Sequence, residues 1–279
     1  MVSRRARVVE WLAGMLVRGG YHPRLRVDRL RRLDVRRPPR RLAGCRVDRT
    51  TIVGVPCGSI VPPSVQRGGT LVYLHGGAYV SGPNFAQWRL AARLGRAVGL
   101  RVVVALYRRA PEHQFPAAYD DAVGVVDELG ADLVAGDSAG GGLAAAVALT
   151  RNVRKLVLFS PWLDLQLDDP RIAGITDRVL ARDGVAEAGR RYAGDTPADD
   201  PRVSPIYGDL STLPPTMVQI GTRDIMLPDC QRFRGHATAA GVDIDYVEMD
   251  GMFHDWTTAE LVPESAAAFA RAVQFLNRP

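Results

Sequence analysis

Short apolar runs alternate with segments of helical periodicity along most of this sequence. Beyond residue 69, runs rich in Val, Leu and Ile are each followed by a segment in which apolar residues recur every three to four positions. The predicted strands cover residues 70–74, 101–106, 131–135, 155–159, 216–220 and 243–249. The predicted helices cover residues 85–98, 118–128, 141–149, 228–240 and 263–276. This alternation predicts an α/β fold with a mostly parallel central sheet flanked by helices on both faces.

Three regions depart from the alternation and suggest how the chain is divided. Residues 1–48 are basic and partly helical, and Pro38-Pro39 interrupts the helical pattern. Residues 49–69 alternate weakly between Gly and Pro residues, which predicts two short antiparallel strands at a sheet edge. Residues 163–213 are rich in Asp, Arg and Pro and lack a buried-strand pattern. We therefore predict a main domain over 49–279 with a cap insertion at about 163–213, and an N-terminal cap segment over 1–48.

Charge changes this picture only at the N-terminus. The net charge of +6 comes almost entirely from arginine, because Lys155 is the one lysine, and arginines are dense in the first 41 residues. One helical face of this segment carries five large apolar residues, which are Val8, Trp11, Leu12, Met15 and Leu16. We expect an amphipathic helix that packs on the domain or touches a membrane surface. Neither aromatic interleaving nor zinc-type spacing accompanies the arginines, so no nucleic-acid binding is predicted.

Other compositional signals favour a reducing compartment. Cys45, Cys57 and Cys230 form no C-x-x-C pair and are predicted to be packing residues without disulfides. No apolar run is long enough to span a membrane, and no convincing signal-peptide cleavage site follows the first apolar segment. We therefore predict a cytoplasmic protein. No metal site is predicted.

The pentapeptide Gly136-Asp137-Ser138-Ala139-Gly140 lies between a predicted strand and a predicted helix. A G-x-S-x-G sequence in that context is typical of a nucleophile elbow, in which the serine hydroxyl stands clear of the sheet. The two glycines lack side chains that would collide with the neighbouring backbone in so tight a turn. The helix that follows points its first N–H groups, and the positive end of its dipole, at any oxyanion that forms there.

Polar residues follow four different predicted strands. His75, Ser138, Asp224 and His254 each come directly after an apolar run, and the carboxyl ends of parallel strands meet at one edge of a sheet. A serine nucleophile needs a base, and the base needs a carboxylate that fixes its tautomer. We predict Ser138 as the nucleophile, His254 as the base and Asp224 as the acid, with Asp229 as the alternative acid.

Acyl transfer also needs N–H donors for the tetrahedral oxyanion. Gly76 and Gly77 follow the strand that precedes the elbow, and their lack of side chains lets the backbone approach a substrate. We predict that Gly76, Gly77 and Ala139 form the oxyanion hole. His75 is predicted to brace this loop by hydrogen bonding and not to transfer protons.

Six motifs together resemble the hormone-sensitive-lipase-like family of α/β-hydrolases. They are His75-Gly76-Gly77, the stretch from Tyr107 to Asp121, Gly136–Gly140, the run Asp200-Pro201-Arg202-Val203-Ser204-Pro205, Ser204 to Leu210, and Gly251-Met252-Phe253-His254-Asp255-Trp256. The resemblance covers about residues 50–276 and is closer to the actinobacterial acetyl-hydrolase and esterase branch. It implies the α/β-hydrolase fold, ester hydrolysis without a cofactor, the triad and oxyanion residues named above, and a structural role for the Pro111–Asp121 loop.

The leading hypothesis is a serine carboxylesterase that hydrolyses short to medium acyl esters, acetyl esters included, through an acyl-enzyme. An amide deacetylase or an acyltransferase with the same triad is the alternative, and a non-catalytic ligand-binding receptor is a third reading. The predicted partner is a small-molecule ester. Peripheral membrane contact through the N-terminal segment and a homodimer are kept as hypotheses, as is a role for Trp162 and Trp256 in lining the acyl pocket.

Overall fold

One nine-stranded sheet runs through the computed structural model, which describes residues 2–21, 25–65 and 68–279. His22 and Arg24 of the basic N-terminal segment lie outside the described residues. The strands are β1 (Arg41–Leu42), β2 (Cys45–Ile52), β3 (Val55–Val61), β4 (Thr70–Leu74), β5 (Arg101–Ala105), β6 (Leu133–Asp137), β7 (Lys155–Phe159), β8 (Thr216–Gly221) and β9 (Ile244–Met249). Their order is β1-β2-β3-β5-β4-β6-β7-β8-β9.

Strands β4 to β9 are parallel to one another, whereas β1, β2 and β3 extend one edge in antiparallel pairing. Every residue of β4, β6, β7 and β8 is buried, because helices cover both faces of the sheet. The predicted mostly parallel sheet and its antiparallel edge are therefore confirmed. The antiparallel pair begins at Cys45 and ends at Val61, a few residues before the predicted segment.

Eight α-helices occur in the described part of the chain. They are α1 (Arg4–Val17), α2 (Val27–Arg31), α3 (Phe85–Val98), α4 (Ala117–Leu129), α5 (Ala139–Ala148), α6 (Arg182–Ala193), α7 (Leu227–Ala239) and α8 (Pro263–Asn277). Clear sequence signals set some of the boundaries. Asn84 and Gln87 form a capping box that begins α3, and Gly99, at φ 65°, ends it.

Helix α6 lies inside the region predicted as a cap insertion, where no helix was predicted. Its sequence contains Gly184 and Gly189, which lower intrinsic helix propensity. Burial of Val185 and Tyr192 stabilises it, and Gly184 lets the backbone approach residue 21 closely. A Cβ atom at Gly184 would lie 2.1 Å from the carbonyl oxygen of Tyr21. Tertiary packing thus overrides a weak local signal.

The apolar stripe predicted for the N-terminal helix does not pack on the domain. Helix α1 instead buries Ala6 and Glu10 and leaves its larger apolar residues exposed to solvent. The inner face carries small side chains, and a Cβ atom at Gly14 would lie 2.5 Å from the carbonyl oxygen of Arg178. Helix α1 therefore packs on the domain, as one of the two alternatives predicted, but through a face other than the apolar stripe. None of the described helices is long and apolar enough to cross a membrane.

Candidate active site

The four polar residues that follow predicted strands meet at the carboxyl edge of the sheet. Ser138 follows β6, Asp224 follows β8 and His254 follows β9. Nε2 of His254 lies 2.8 Å from Oγ of Ser138, and Nδ1 of His254 lies 2.9 Å from Oδ2 of Asp224. All three side chains are buried. The structure thus brings together, in one hydrogen-bonded chain, the three residues that were predicted as a triad.

The turn at Ser138 is sterically demanding. Ser138 has φ 52° and ψ −122°, a backbone conformation that residues with side chains rarely adopt. A Cβ atom at Gly136 would lie 2.2 Å from the carbonyl oxygen of Gly140, and one at Gly140 would lie 2.1 Å from that of Leu74. Both clashes are with backbone, which cannot move aside cheaply. The two glycines are therefore required for the chain to turn sharply and present the serine hydroxyl.

Asp224, and not Asp229, contacts the histidine. The second carboxylate oxygen of Asp224 accepts a hydrogen bond from the N–H of Met226 at 3.0 Å, so the carboxylate is held by two donors. Asp229 lies in α7 and instead pairs with Arg232 at 2.9 Å. Burial raises the pKa of Asp229 to about 7, with a further contribution from the nearby charge of Asp164. The geometry therefore favours the first of the two predicted acids.

The predicted oxyanion loop follows β4. Gly77 has φ 121°, and a Cβ atom there would lie 2.3 Å from the carbonyl oxygen of Ser81, so only glycine fits. Burial raises the pKa of the Asp137 carboxyl, and hydrogen bonding that includes the N–H of Gly76 opposes this effect. Among the hydrogen bonds of the described residues, none outside regular helices is donated by the N–H of Gly77, Ala78 or Ala139. Ala139 is the first residue of α5, where N–H groups lack a partner within the helix.

His75 occupies the bracing position that was predicted for it. Its Nδ1 lies 2.8 Å from the carbonyl oxygen of Gly76, and its ring stacks on Tyr107 at 4.3 Å between centroids. The Tyr107 hydroxyl donates to the carbonyl oxygen of His75 at 2.5 Å. Burial lowers the pKa of His75 to about 3, so the ring is neutral near neutral pH. A neutral ring held by these contacts is consistent with the predicted bracing contribution, which stays a prediction.

The segment that follows β5 also contacts this loop. The N–H of Ala110 donates to the carbonyl oxygen of Tyr79 at 2.9 Å, and the Arg109 guanidinium donates to the carbonyl oxygen of Gly82 at 2.9 Å. Arg109 also pairs with Asp34 of the N-terminal segment, which accepts from the N–H of Gly82 at 2.6 Å. The N-terminal segment is therefore fastened directly to the loop that carries the predicted oxyanion donors.

Asp255 is a functional candidate that the sequence reasoning did not single out. Its Oδ2 lies 3.4 Å from Nε2 of His254, on the same nitrogen that faces Ser138. Its Oδ1 is buried and has no hydrogen-bond partner among the described residues. Asp255 has φ 56°, which turns the chain so that two consecutive residues both reach the site. Its place next to His254 was the one available signal, but sequence alone does not reveal the direction of the turn.

Two carboxyl groups therefore act on the histidine from different sides, that of Asp224 fully buried and that of Asp255 partly exposed. Burial alone would lower the pKa of His254, but the negative charges of Asp224 and Asp255 outweigh burial and raise it above the ordinary value. Burial raises the pKa of Asp255 well above its usual range; the His254 ring opposes this, and the neighbouring Asp137 adds to it.

A cavity of about 750 Å³ opens in front of Ser138 and His254. Much of its apolar lining comes from residues that precede β1, which are Val9, Ala13, Leu16, Leu30 and Leu33, and from Val179 and Leu180 between β7 and β8. Among the described residues that line it, neither Trp162 nor Trp256 appears. Both rings are fully buried elsewhere, and Trp162 packs against Tyr79 at 5.9 Å. The hypothesis that these two tryptophans line the acyl pocket is therefore wrong.

Asp177 connects the region between β7 and β8 to the loop that carries Asp224. Oδ1 of Asp177 accepts from the N–H groups of Val179 and Leu180 at 2.7 and 2.9 Å, and Oδ2 accepts from the N–H of Ile225 at 3.2 Å. Burial raises the pKa of Asp177 to about 6, and the nearby charge of Asp224 adds to the effect. The part of the insertion that lines the cavity is thus fixed to the residue that follows Asp224.

Comparison with known proteins agrees with this architecture. A family model described as the alpha/beta hydrolase fold matches residues 71–258. The chain is 35% identical over 242 residues to the putative acetyl-hydrolase LipR of Mycobacterium tuberculosis, covering 81% of this chain and 79% of that protein. It is 34% identical over 266 residues to an acetyl-hydrolase of Streptomyces hygroscopicus, with coverage of 86% and 89%. A crystal structure of an esterase from the bacterial hormone-sensitive lipase family superposes with a TM-score of 0.86 at 29% identity, covering 99% of this chain and 98% of that one.

Proposed function

Because this chain belongs to the hormone-sensitive-lipase family of α/β-hydrolases, we propose that it is a serine carboxylesterase that hydrolyses short to medium acyl esters, acetyl esters included. One observation carries the proposal. The Ser138 hydroxyl, the two ring nitrogens of His254 and the Asp224 carboxylate form one hydrogen-bonded chain beside a cavity. That arrangement can activate a hydroxyl for attack on a carbonyl carbon.

In the first half of the proposed reaction, Oγ of Ser138 attacks the ester carbonyl as Nε2 of His254 takes its proton. Asp224 holds Nδ1 of the ring in its protonated tautomer and stabilises the imidazolium. The carbonyl oxygen becomes an oxyanion, and the tetrahedral intermediate collapses when Nε2 returns the proton to the leaving alkoxide. An alcohol departs and an acyl-Ser138 ester remains.

In the second half, water attacks the acyl-enzyme while Nε2 of His254 takes one of its protons. Collapse of the second tetrahedral intermediate breaks the bond between Ser138 Oγ and the acyl carbon, and the same proton returns to Oγ. The products are the carboxylic acid and the free enzyme. No other group needs to change its protonation state during the cycle.

We propose Gly77 and Ala139 as the principal oxyanion donors. Neither N–H is used by another acceptor in the hydrogen bonds described above, and Ala139 lies at the positive end of the α5 dipole. Gly76 is the weakest of the three donors predicted from the sequence, because its N–H already faces Asp137. The N–H of Ala78 is equally unused, which makes Ala78 an additional candidate that the sequence reasoning did not include.

The size and apolar lining of the cavity support the proposal that the substrates carry small to medium acyl groups. Its volume of about 750 Å³ lies within the range of small-molecule sites, and the residues contributed by the N-terminal segment and by the insertion are mostly apolar. We propose that residues 1–48 and 163–213 act together as a cap that sets the depth of the pocket. The contacts of Asp34 and Asp177 described above would hold the two parts of that cap on the catalytic loops.

Hydrolysis of a series of p-nitrophenyl esters from acetate to palmitate tests the function. We expect the wild-type rate to peak at short to medium chains, and Ser138→Ala to lower kcat by about three orders of magnitude or more. Ser211→Ala, which removes a hydroxyl on the surface, is the matched control and should retain wild-type activity. Equal rates for Ser138→Ala and Ser211→Ala would refute the proposed nucleophile.

The same protein distinguishes the alternative activities. Faster hydrolysis of the amide p-nitroacetanilide than of the ester p-nitrophenyl acetate would favour the amide deacetylase. Ester products that accumulate when an alcohol is added would favour acyl transfer. A folded protein that binds esters without turning over any of them would favour the receptor.

A further inference from the structure

The outward face of α1 is unusually apolar for a solvent-facing helix. Ten large hydrophobic residues of the described chain are strongly exposed, and five of them lie on this one helix. We call these five the α1 patch; they are Val8, Trp11, Leu12, Met15 and Leu16, with exposed fractions between 46% and 57%. Their spacing places them on one side of the helix. A contiguous exposed apolar surface of this kind marks an interaction site more often than scattered single residues do.

The α1 patch continues to the mouth of the cavity. Leu16 belongs to the patch and also lines the cavity. Phe85 and Leu261 line the cavity as well, and their exposed fractions are 47% and 74%. Seven of the ten strongly exposed hydrophobic residues are therefore on the patch or at the cavity mouth. Any partner that covers the patch would also lie over the entrance to the site.

Three arginines lie at the N-terminal end of the patch. Arg4, Arg5 and Arg7 are exposed, and none of the ion pairs found among the described residues includes them. Glu10 is the one acidic residue of α1, and it is buried and paired with Arg223 at 3.0 Å. The exposed surface of this helix consequently consists of large apolar side chains and arginines. That is the composition of helices that lie in a membrane interface.

We propose that the α1 patch docks this protein on the surface of a lipid bilayer that carries anionic headgroups. The apolar side chains would enter the interface, while Arg4, Arg5 and Arg7 would contact the headgroups. A second copy of the chain is the less favoured occupant. In a twofold-symmetric dimer the same surface lies on both sides of the interface, so the arginines would meet no exposed acidic residue on the α1 helix of the other copy. The proposal concerns binding alone and does not depend on the proposed reaction.

Vesicle binding by the full-length Ser138→Ala protein tests this proposal without turnover. The probes are vesicles of phosphatidylcholine with and without phosphatidylglycerol, at low and at high salt. Trp11 supplies a direct optical signal, because Trp88, Trp162 and Trp256 are fully buried and Trp11 is 53% exposed. We expect co-sedimentation with the anionic vesicles, a blue shift of the Trp11 emission, and loss of both signals at high salt.

Substitutions that keep Trp11 identify the surface. Leu12→Asp and the double change Arg4→Ala with Arg5→Ala should each weaken binding about tenfold or more. Val53→Asp introduces the same charge at an equally exposed apolar position in the β2–β3 turn, outside the patch, and should bind as the parent does.

Three results would overturn the proposal. In the first, the protein does not bind anionic vesicles at low salt. In the second, Leu12→Asp and Val53→Asp weaken binding equally. In the third, light scattering shows a concentration-dependent dimer that the Leu12→Asp substitution dissociates. The last result would assign the patch to a second copy of the chain.

Discussion

The carboxyl group of Asp255 lies 3.4 Å from the nitrogen of His254 that faces Ser138, so replacing Asp255 by Asn removes a charge beside the proposed proton-transfer atom. His254 must be neutral to accept the serine proton, and activity therefore rises as pH increases through its pKa. A neighbouring carboxylate stabilises the imidazolium and raises that pKa. Asp255→Asn should consequently move the rising limb of the pH profile to lower pH.

The distance sets the size of the shift. Two unit charges 3.4 Å apart interact by about 1 kcal/mol at the dielectric constant of water and by about 5 kcal/mol at an effective value of about 20. Since one pKa unit corresponds to about 1.4 kcal/mol, full ionisation of Asp255 would shift the pKa of His254 by about one to three and a half units. The Asp255 side chain is 20% exposed, so solvent screens the pair and the lower end of that range applies. We expect a shift of about one unit.

The test is to measure kcat/KM for hydrolysis of a short-chain ester in a pH-stat between about pH 5 and pH 9. The pH dependence of kcat/KM reports the ionisations of the free enzyme. Asp243→Asn removes an exposed carboxylate just before β9, away from His254, and is the matched control. The control profile should coincide with the wild-type profile. If the rising limb of the Asp255→Asn profile coincides with the wild-type limb, or lies at higher pH, the electrostatic role assigned to Asp255 is refuted.

The remaining predictions concern the acid and the elbow. Asp224→Asn should lower kcat about 10⁴-fold, because the amide favours the wrong tautomer of the histidine. Asp229→Asn should keep kcat within about tenfold of the wild-type value. Esterase kinetics on both purified variants measure these effects, and a large loss in Asp229→Asn alone would exchange the two roles. Gly140→Ala should lower the free energy of unfolding by about 3 kcal/mol or more, because the new Cβ atom would lie 2.1 Å from the carbonyl oxygen of Leu74. Urea unfolding measures this change. An unchanged unfolding midpoint would contradict the steric explanation of the turn at Ser138.

Sequence reasoning worked best where local patterns and the direction of the strands agree. The parallel strands are buried on both faces, so runs such as 70–74 and 155–159 are continuously apolar and unambiguous. Ser138 and His254 each follow such a run, and a parallel sheet brings the ends of those runs to one edge. Their proximity could therefore be anticipated without coordinates. Their catalytic roles stay predictions until the variants are measured.

Other features depend on contacts that no local pattern encodes. The side of α1 that packs is the one with small residues, because Gly14 allows close approach to the backbone of Arg178. Hydrophobic periodicity correctly predicted the apolar stripe of α1, but it could not show which face of the helix packs on the domain. Asp255 reaches His254 only because its own backbone adopts φ 56°, and an αL residue of this kind has no clear sequence signal. Helix α6 likewise depends on burial of its apolar side against the rest of the chain.

Covalent labelling of the intact protein tests the central claim most directly. A fluorophosphonate ester reacts with an activated serine, forms a stable phosphonyl ester and releases fluoride, and peptide mass spectrometry then identifies the modified residue. We predict one adduct per chain, located on Ser138, with proportional loss of esterase activity and no adduct on the Ser138→Ala protein. Esterase activity that survives complete labelling of Ser138, or an adduct on another serine that abolishes activity, would contradict the account.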